Sequence, residues 1–138
     1  MRTLAIAVVV ATAASFCPVQ DQEKPSVKTV PPVVVKTIPQ AGAADVDPDL
    51  KEIRVTFSKE MMDRSWSWST AWQDSGPEIL GAPKYSEDGK TCVLEVKLEP
   101  GRAYGFWLNS QNFGNFKDRD GRKAVPYLFV FETKPGDK

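Results

Sequence analysis

The chain has 138 residues, with 18 lysines and arginines, 18 aspartates and glutamates, two cysteines and no histidine. This length corresponds to one ordinary domain, and its zero formal net charge argues against nucleic-acid binding, which needs a basic surface. Without histidine the chain can form neither a Ser-His or Cys-His nucleophile pair nor a mixed Cys/His zinc site.

The N-terminal segment predicts export. Arg2 precedes an uninterrupted run of apolar and small residues at 4–14, which is too short to cross a bilayer core of about 30 Å but suits a secretory signal. We therefore assign residues 1–17 to a signal peptide and expect a secreted or cell-envelope protein without a transmembrane span after cleavage. Two alternatives stay open: a buried strand or helix at 4–14, and a lipoprotein modified at Cys17, although Phe16 stands where such signals prefer a small residue.

Residues 18–31 are polar and marked by prolines, and they lack a sustained hydrophobic period. They predict a flexible linker, which leaves residues 32–134 as the folded domain. In the domain, apolar residues alternate with period two in short segments separated by turn residues, a pattern typical of strands. No amphipathic pattern long enough for a helix of about ten residues is present.

The first half of the domain contains three predicted strands. Residues 33–38 lie between prolines, which confine this strand to the edge of a sheet or a strand end. Ile53, Val55 and Phe57 alternate with polar residues, as in a strand with one buried face. The serine- and tryptophan-rich residues 65–69 alternate in the same way.

The second half predicts the remaining strands and two hairpins. Residues 79–85 contain Gly81 and Pro83 and predict only an edge strand. The Asp-Gly pairs at 88–89 and 120–121 predict hairpins with type I′ turns, because both residue types tolerate positive φ. The faces expected to be buried on the later strands are Cys92, Leu94, Val96 and Leu98, then Tyr104, Phe106 and Leu108, and finally Phe129 and Phe131.

These elements predict an all-β fold with two antiparallel sheets. A single sheet would leave one apolar face in water, so a second sheet must cover it. Cys92 is predicted to be a small buried hydrophobic residue rather than a reactive thiol. If Cys17 is removed with the signal peptide, Cys92 has no partner, so no fold held by disulfides within the chain is expected.

Residues 98–104 are the most informative stretch. Pro100 and Gly101 fit the central positions of a type II turn, because proline sets φ near −65° and glycine accepts positive φ. This turn is expected to carry the chain from one sheet to the other. Tyr104 can then fold back over the turn and hydrogen-bond to upstream backbone, an arrangement called a tyrosine corner. The alternative is an ordinary buried tyrosine.

The segments at 32–42, 46–48, 53–58, 61–63, 88–91, 98–104 and 131–133, in this order, resemble bacterial immunoglobulin-like domains of the S-layer-protein (SbsA-like) type. The resemblance covers about 100 of the 138 residues. It implies an immunoglobulin-like sandwich of about seven strands and a non-catalytic structural or adhesive role in an exported protein. Residues 66–79 and 109–123 depart from the family pattern, and a function particular to this chain is expected there.

Four tryptophans are the candidate binding residues. Trp66 and Trp68 alternate on one strand and favour burial, since immunoglobulin-like sandwiches commonly bury a tryptophan. Trp72 and Trp107 are better candidates for exposure, because Trp107 alternates with the core residues of its strand. Exposed indoles can stack against sugar rings or bind the apolar surface of a protein. The predicted function is therefore a structural spacer or protein-interaction domain of the cell envelope, and the alternative is a carbohydrate-binding module.

The acidic residues of the chain form two clusters that could in principle bind a metal ion. Residues 118–121 are similar to the start of a calcium loop, but they lack a closing carboxylate and have basic neighbours, so a solvated hairpin turn is predicted. Asp45, Asp47 and Asp49 are predicted to cap a loop. We expect no metal site, cofactor or catalytic residue, because neither a carboxylate pair suited to glycoside hydrolysis nor a nucleophile motif is recognisable. The expected partner is another envelope protein or a polysaccharide.

Overall fold

The structure is a computed structural model that describes residues 10–15 and 23–136. In these residues the secondary structure consists of strands and contains no helix. The strands are β1 (Val34–Ile38), β2 (Glu52–Phe57), β3 (Trp68–Thr70), β4 (Glu78–Ile79), β5 (Lys84–Tyr85), β6 (Thr91–Lys97), β7 (Ala103–Leu108) and β8 (Tyr127–Glu132). The predicted all-β fold is confirmed. The structure has one strand more than predicted, because Gly81 and Pro83 interrupt residues 79–85 and separate β4 from β5.

The strands form two antiparallel sheets. The five-stranded sheet has the order β1-β2-β6, and both β4 and β5 pair with the free edge of β6. The three-stranded sheet has the order β3-β7-β8. β1 lies at a sheet edge, as the flanking prolines predicted. The tryptophan-rich strand was predicted at residues 65–69, but β3 begins only at Trp68, where pairing with β7 starts, and it ends at Thr70.

The core lies between the two sheets and is formed by alternate residues of β2, β6, β7 and β8. All the residues that we predicted to be buried on these strands are buried. Phe116, from the loop between β7 and β8, also enters the core, with its ring centroid 5.0 Å from that of Phe57. Burying a phenylalanine side chain stabilises a fold by about 1.5–3 kcal/mol, so this loop contributes directly to the sandwich.

Both Asp-Gly hairpins form, but their turns differ from the predicted type I′. Gly89 and Gly121 have φ of 69° and 86°, whereas neither preceding aspartate has a positive φ, and a type I′ turn needs positive φ at both central residues. Each glycine N–H donates to the carbonyl three residues earlier, at 2.9 and 3.0 Å. The glycine is therefore the fourth residue of its turn. It adopts the left-handed conformation, and the aspartate before it does not.

The connection from β6 to β7 carries the chain between the sheets. Gly101 has a φ of 64°, as the third position of a type II turn requires. Tyr104 is completely buried, and its hydroxyl accepts a hydrogen bond of 2.7 Å from the backbone N–H of Glu99. This is the geometry of a tyrosine corner, which joins the end of one sheet to the start of the other.

We expect Tyr104→Phe to lower the free energy of unfolding by about 1–2 kcal/mol, because the Glu99 N–H loses its acceptor while the ring keeps its packing. Urea denaturation followed by fluorescence would measure the change. Tyr127→Phe is the matched control, since the half-buried Tyr127 makes no hydroxyl hydrogen bond within the described part of the chain. Equal effects of the two variants would contradict a special role for the corner.

The described part of the predicted linker contacts the domain. Nζ of Lys59 donates to the carbonyl oxygens of Lys28 and Val30, at 2.9 and 2.8 Å. The predicted signal peptide lies mostly outside the described residues, as do Cys17 and residues 18–22 of the linker. No helix in residues 10–15 and 23–136 is long and apolar enough to cross a membrane.

Candidate functional site

The outer surface of the three-stranded sheet carries an exposed apolar patch. We call it the tryptophan face and define it by Trp72, Trp107, Leu128 and Val130. Trp107 and Leu128 are paired across β7 and β8. Both point away from the core, because Phe106 and Leu108 beside Trp107 and Phe129 beside Leu128 are buried. Trp72, Trp107 and Leu128 are 44%, 36% and 45% exposed. The structure thus brings together two of the four candidate tryptophans.

Trp72 is held on this face by Gly105 and Ser75. A β carbon at residue 105 would overlap the six-membered ring of the indole, so the ring occupies the space of the side chain that glycine lacks. The buried hydroxyl of Ser75 donates to the Gly105 carbonyl at 2.7 Å and accepts from the Ala71 N–H at 2.9 Å. The turn that carries Trp72 is therefore fastened to β7 before any ligand binds.

Trp107 also borders a cavity of about 490 Å³, which it lines together with Ser110, Gln111, Asn112 and Pro126. None of these lining residues is charged. The side chains of Gln111 and Asn112 are exposed and make no hydrogen bond to the described residues. Their amide groups are therefore free to donate and accept hydrogen bonds at the rim of the cavity.

Trp66 and Trp68 lie on the other side of the sheet, packed against the core. The Trp68 ring meets Phe106 and Phe116 edge-to-face, with ring centroids 5.4 and 5.7 Å apart. Such aromatic pairs add about 0.5–1.5 kcal/mol to the stabilisation from burial. These two indoles are thus placed for packing and do not contribute to the tryptophan face.

Cys92 is a free cysteine that is fully buried on β6. Burial raises the pKa of its thiol to about 12. The Trp68 indole N–H opposes this shift, but burial is the larger effect. At neutral pH the thiol is protonated and shielded from water, so it lacks the thiolate character of a nucleophile.

Asp118 is not part of a solvated turn, as the sequence predicted, but is buried with a side chain only 1% exposed. Its carboxylate pairs with Nζ of Lys59 at 2.7 Å and accepts hydrogen bonds from the backbone N–H groups of Asp120 and Arg122. Burial alone would raise the pKa of Asp118, but the Lys59 and backbone hydrogen bonds outweigh it and lower this pKa. The carboxylate therefore forms an internal ion pair with Lys59 and does not face the solvent as a metal ligand would.

The aspartates at 45–49 belong to a loop. Asp47 accepts a hydrogen bond of 2.9 Å from the backbone N–H of Asp49, a local contact typical of aspartate in turns. In residues 10–15 and 23–136, no three His, Cys, Asp or Glu side chains lie close enough together to hold a metal ion.

Asn109 was missed by the sequence analysis, although it organises the loop that borders the cavity. It is buried at the end of β7 and has a φ of 60°. Its amide nitrogen donates to the carbonyls of Phe116 and Ala124, at 2.7 and 3.0 Å, and its amide oxygen accepts from the Phe116 N–H at 2.9 Å. The only local signal was the residue type, since asparagine tolerates the left-handed conformation better than most residues.

The sequence profile of one protein family, described as "Bacterial Ig-like domain", matches residues 28–133. Among solved structures, CopC from Methylosinus trichosporium OB3b is similar with a TM-score of 0.57 and 15% identity, over 78% of this chain and 97% of that one. No curated protein matches the chain.

Two structures of an S-layer protein are similar as well. The S-layer protein rSbsC(31-844) matches with a TM-score of 0.50 and 17% identity over 76% of this chain. Domains 1–6 of the surface layer protein SbsC match with a TM-score of 0.51 and 17% identity over 78% of this chain. The matched region spans only 14% of either S-layer chain. At these identities the similarity concerns the fold.

Proposed function

We propose that this chain, which belongs to the bacterial Ig-like domain family, is a non-catalytic, exported module. In this proposal it binds a partner in the cell envelope. The signal-like residues 1–17 support export, and the lack of histidine is compatible with a module that does no chemistry. The observation that carries the proposal is the tryptophan face, where two indoles are exposed although most other aromatic side chains of the domain are buried between the sheets.

The tryptophan face has the properties of a preformed binding surface. Tryptophan is enriched among the residues that dominate binding energy, because an indole offers a large contact area. Trp107 lies on β7, the central strand of its sheet, and Trp72 is fixed by the contacts of Ser75 and Gly105. Because the Trp72 ring is already held in place, little conformational entropy is lost there on binding.

A purely structural spacer is the second candidate function. The similarity to S-layer domains and the tyrosine corner support it, because a spacer needs a stable sandwich with defined ends. A spacer has no use for exposed indoles, however, and burying one of them in an interface is favourable. We therefore rank binding above spacing.

Binding can be tested by sedimenting the purified protein with cell-envelope fragments. We expect the wild-type protein to sediment with the fragments and Trp107→Ala to bind at least tenfold more weakly, the loss typical of a central aromatic contact. Leu80→Ala is the matched control, because Leu80 is 54% exposed but follows β4 on the five-stranded sheet. Absence of wild-type binding would favour the spacer, and equal binding by Trp107→Ala would exclude the tryptophan face.

A further inference from the structure

We propose that the tryptophan face binds a neutral polysaccharide, with one sugar ring stacked on Trp107 and its hydroxyl groups hydrogen-bonded by Gln111 and Asn112. This inference rests on the proposed function, because it names the class of partner for the same face. Three properties of the surface support it: its charge, its hydrogen-bonding groups and its shape.

The charge of the cavity favours a neutral ligand. Its lining combines an indole, a proline, a hydroxyl and two amides, whereas the cavity near Met62 is lined by Glu60, Asp63, Glu87 and Arg119 among others. An anionic polymer would need cationic side chains to replace its counterions and concentrate it at the surface. The Trp107 cavity provides none.

The hydrogen-bonding groups match the hydroxyl groups of a sugar. A primary amide offers two donors and an acceptor, and a hydroxyl is both a donor and an acceptor. Gln111 and Asn112 can therefore each form reciprocal contacts with the rim of a sugar ring, while the indole of Trp107 covers its apolar face. Ser110 connects this rim to the loop through a hydrogen bond of 2.7 Å from its N–H to the Phe113 carbonyl.

The shape of the surface favours an extended ligand. The Trp72 ring packs over Gly105, which lies two residues before Trp107 on β7, so the two positions are about 7 Å apart along the strand. A chain running along β7 would leave the cavity, cross Trp107 and reach Trp72. Two indoles in one line suit a polymer of sugars better than a single sugar.

The area of the face argues against a protein as the occupant. Roughly two-fifths of each side chain is exposed at Trp72, Trp107 and Leu128, which amounts to about 250 Å² of apolar surface. A stable protein interface buries about 800 Å² on each partner, of which somewhat more than half, roughly 450 Å², is apolar. The narrow apolar strip fits a single polysaccharide chain. The test below distinguishes this ligand from a protein partner and from a second copy of this chain.

The test uses the purified protein and cell-envelope fragments treated in two ways. Protease digestion destroys protein partners, and periodate oxidation destroys the vicinal diols of sugars. We expect binding to survive protease and to be lost after periodate. We also expect it to change less than twofold between about 50 and about 500 mM NaCl, because a neutral ligand is insensitive to ionic screening.

Variants assign the contacts. Gln111→Ala and Asn112→Ala should each weaken binding about twofold to tenfold, as expected for one neutral hydrogen bond. Leu80→Ala should bind as the wild type does, and circular dichroism should show that every variant is folded.

Different failures have different meanings. If Trp107→Ala abolishes binding but protease also abolishes it, the proposed function stands and the partner is a protein, which overturns the polysaccharide. If the protein dimerises in analytical ultracentrifugation and Trp107→Ala is monomeric, the occupant is a second copy and the inference is also overturned. A binding loss of tenfold or more in high salt would show an anionic ligand instead. If untreated fragments bind no wild-type protein, both proposals fail.

Discussion

Replacing Asn109 by alanine is expected to destabilise the domain by about 4 kcal/mol. The substitution leaves the Phe116 N–H and the Ala124 carbonyl without their partner, and each orphaned buried group costs about 1–3 kcal/mol. The Phe116 carbonyl loses one of its two donors but keeps the bond from the Ala124 N–H. Alanine must also adopt the φ of 60°, which adds about 1 kcal/mol. Because small domains have only about 5–15 kcal/mol of stability, urea denaturation should show a large shift of the midpoint.

Two further variants separate these contributions. Asn109→Gly removes the amide but accepts the backbone conformation, so it should be about 1 kcal/mol more stable than Asn109→Ala. Asn115→Ala is the matched control, because the hydrogen bonds of Asn115 within the described part of the chain use its backbone groups, which bond to Ser67 and Ser65. If Asn109→Ala and Asn115→Ala unfolded at the same urea concentration, the amide would not hold the loop.

Replacing Asp118 by alanine is expected to cost about 3 kcal/mol, because removing one partner of a buried ion pair leaves the other charge uncompensated. The charge left uncompensated is that of Lys59, whose side chain is only 12% exposed. Arg122, 3.5 Å from the same carboxylate, keeps its pair with Asp120. Asp118→Asn should be milder, since an amide oxygen still accepts the N–H bonds of Asp120 and Arg122. Thermal and urea unfolding of both variants would measure the difference.

The same ion pair predicts a dependence on pH. The pKa of Asp118 is lower in the folded protein than in the unfolded chain, where it is about 3.9. Its contribution is therefore complete above this value and is lost as the pH falls through the lower, folded pKa. The stability difference between the wild type and Asp118→Asn should be constant near neutral pH and narrow below about pH 4.

Asp120→Asn is the control for Asp118. Asp120 lies in the same turn, but its side chain is 72% exposed, and among the described residues its one ion pair is with Arg122. Its loss should therefore change stability little. A double-mutant cycle with Lys59→Met and Asp118→Asn isolates the pair itself. Strictly additive effects in this cycle would contradict a direct Lys59–Asp118 interaction.

Asn109 and Asp118 both stabilise the loop between β7 and β8, which contains part of the candidate binding site. Asn109 immediately precedes Ser110, Gln111 and Asn112, and Asp118 ties the far end of the loop to Lys59. Stability and binding are therefore expected to be linked, so binding assays on either variant need a parallel measurement of folding. The variants of Trp107 and Gln111 avoid this difficulty because they alter exposed side chains.

Much of the fold could be predicted because its signals are local. The alternation of Ile53, Val55 and Phe57 identifies a buried face, since successive side chains of a strand point to opposite sides. Prolines beside β1 place it at an edge because proline cannot donate a ladder hydrogen bond. The type of the two Asp-Gly turns was predicted wrongly, because the residue pair alone does not specify whether one or both residues need positive φ.

By itself, the sequence determined the two-sheet architecture, the buried strand faces and the sites of the turns, since period-two alternation and turn chemistry act between neighbouring residues. Only the tertiary structure decided that Trp72 and Trp107 share one outer face while Trp66 and Trp68 pack on the core. It also decided that Asp118 is buried and that Asn109 closes a loop. Each feature depends on a contact between residues that are far apart in the sequence: Trp72 with Gly105, Asp118 with Lys59, and Asn109 with Ala124. Such pairs become neighbours only when the chain folds.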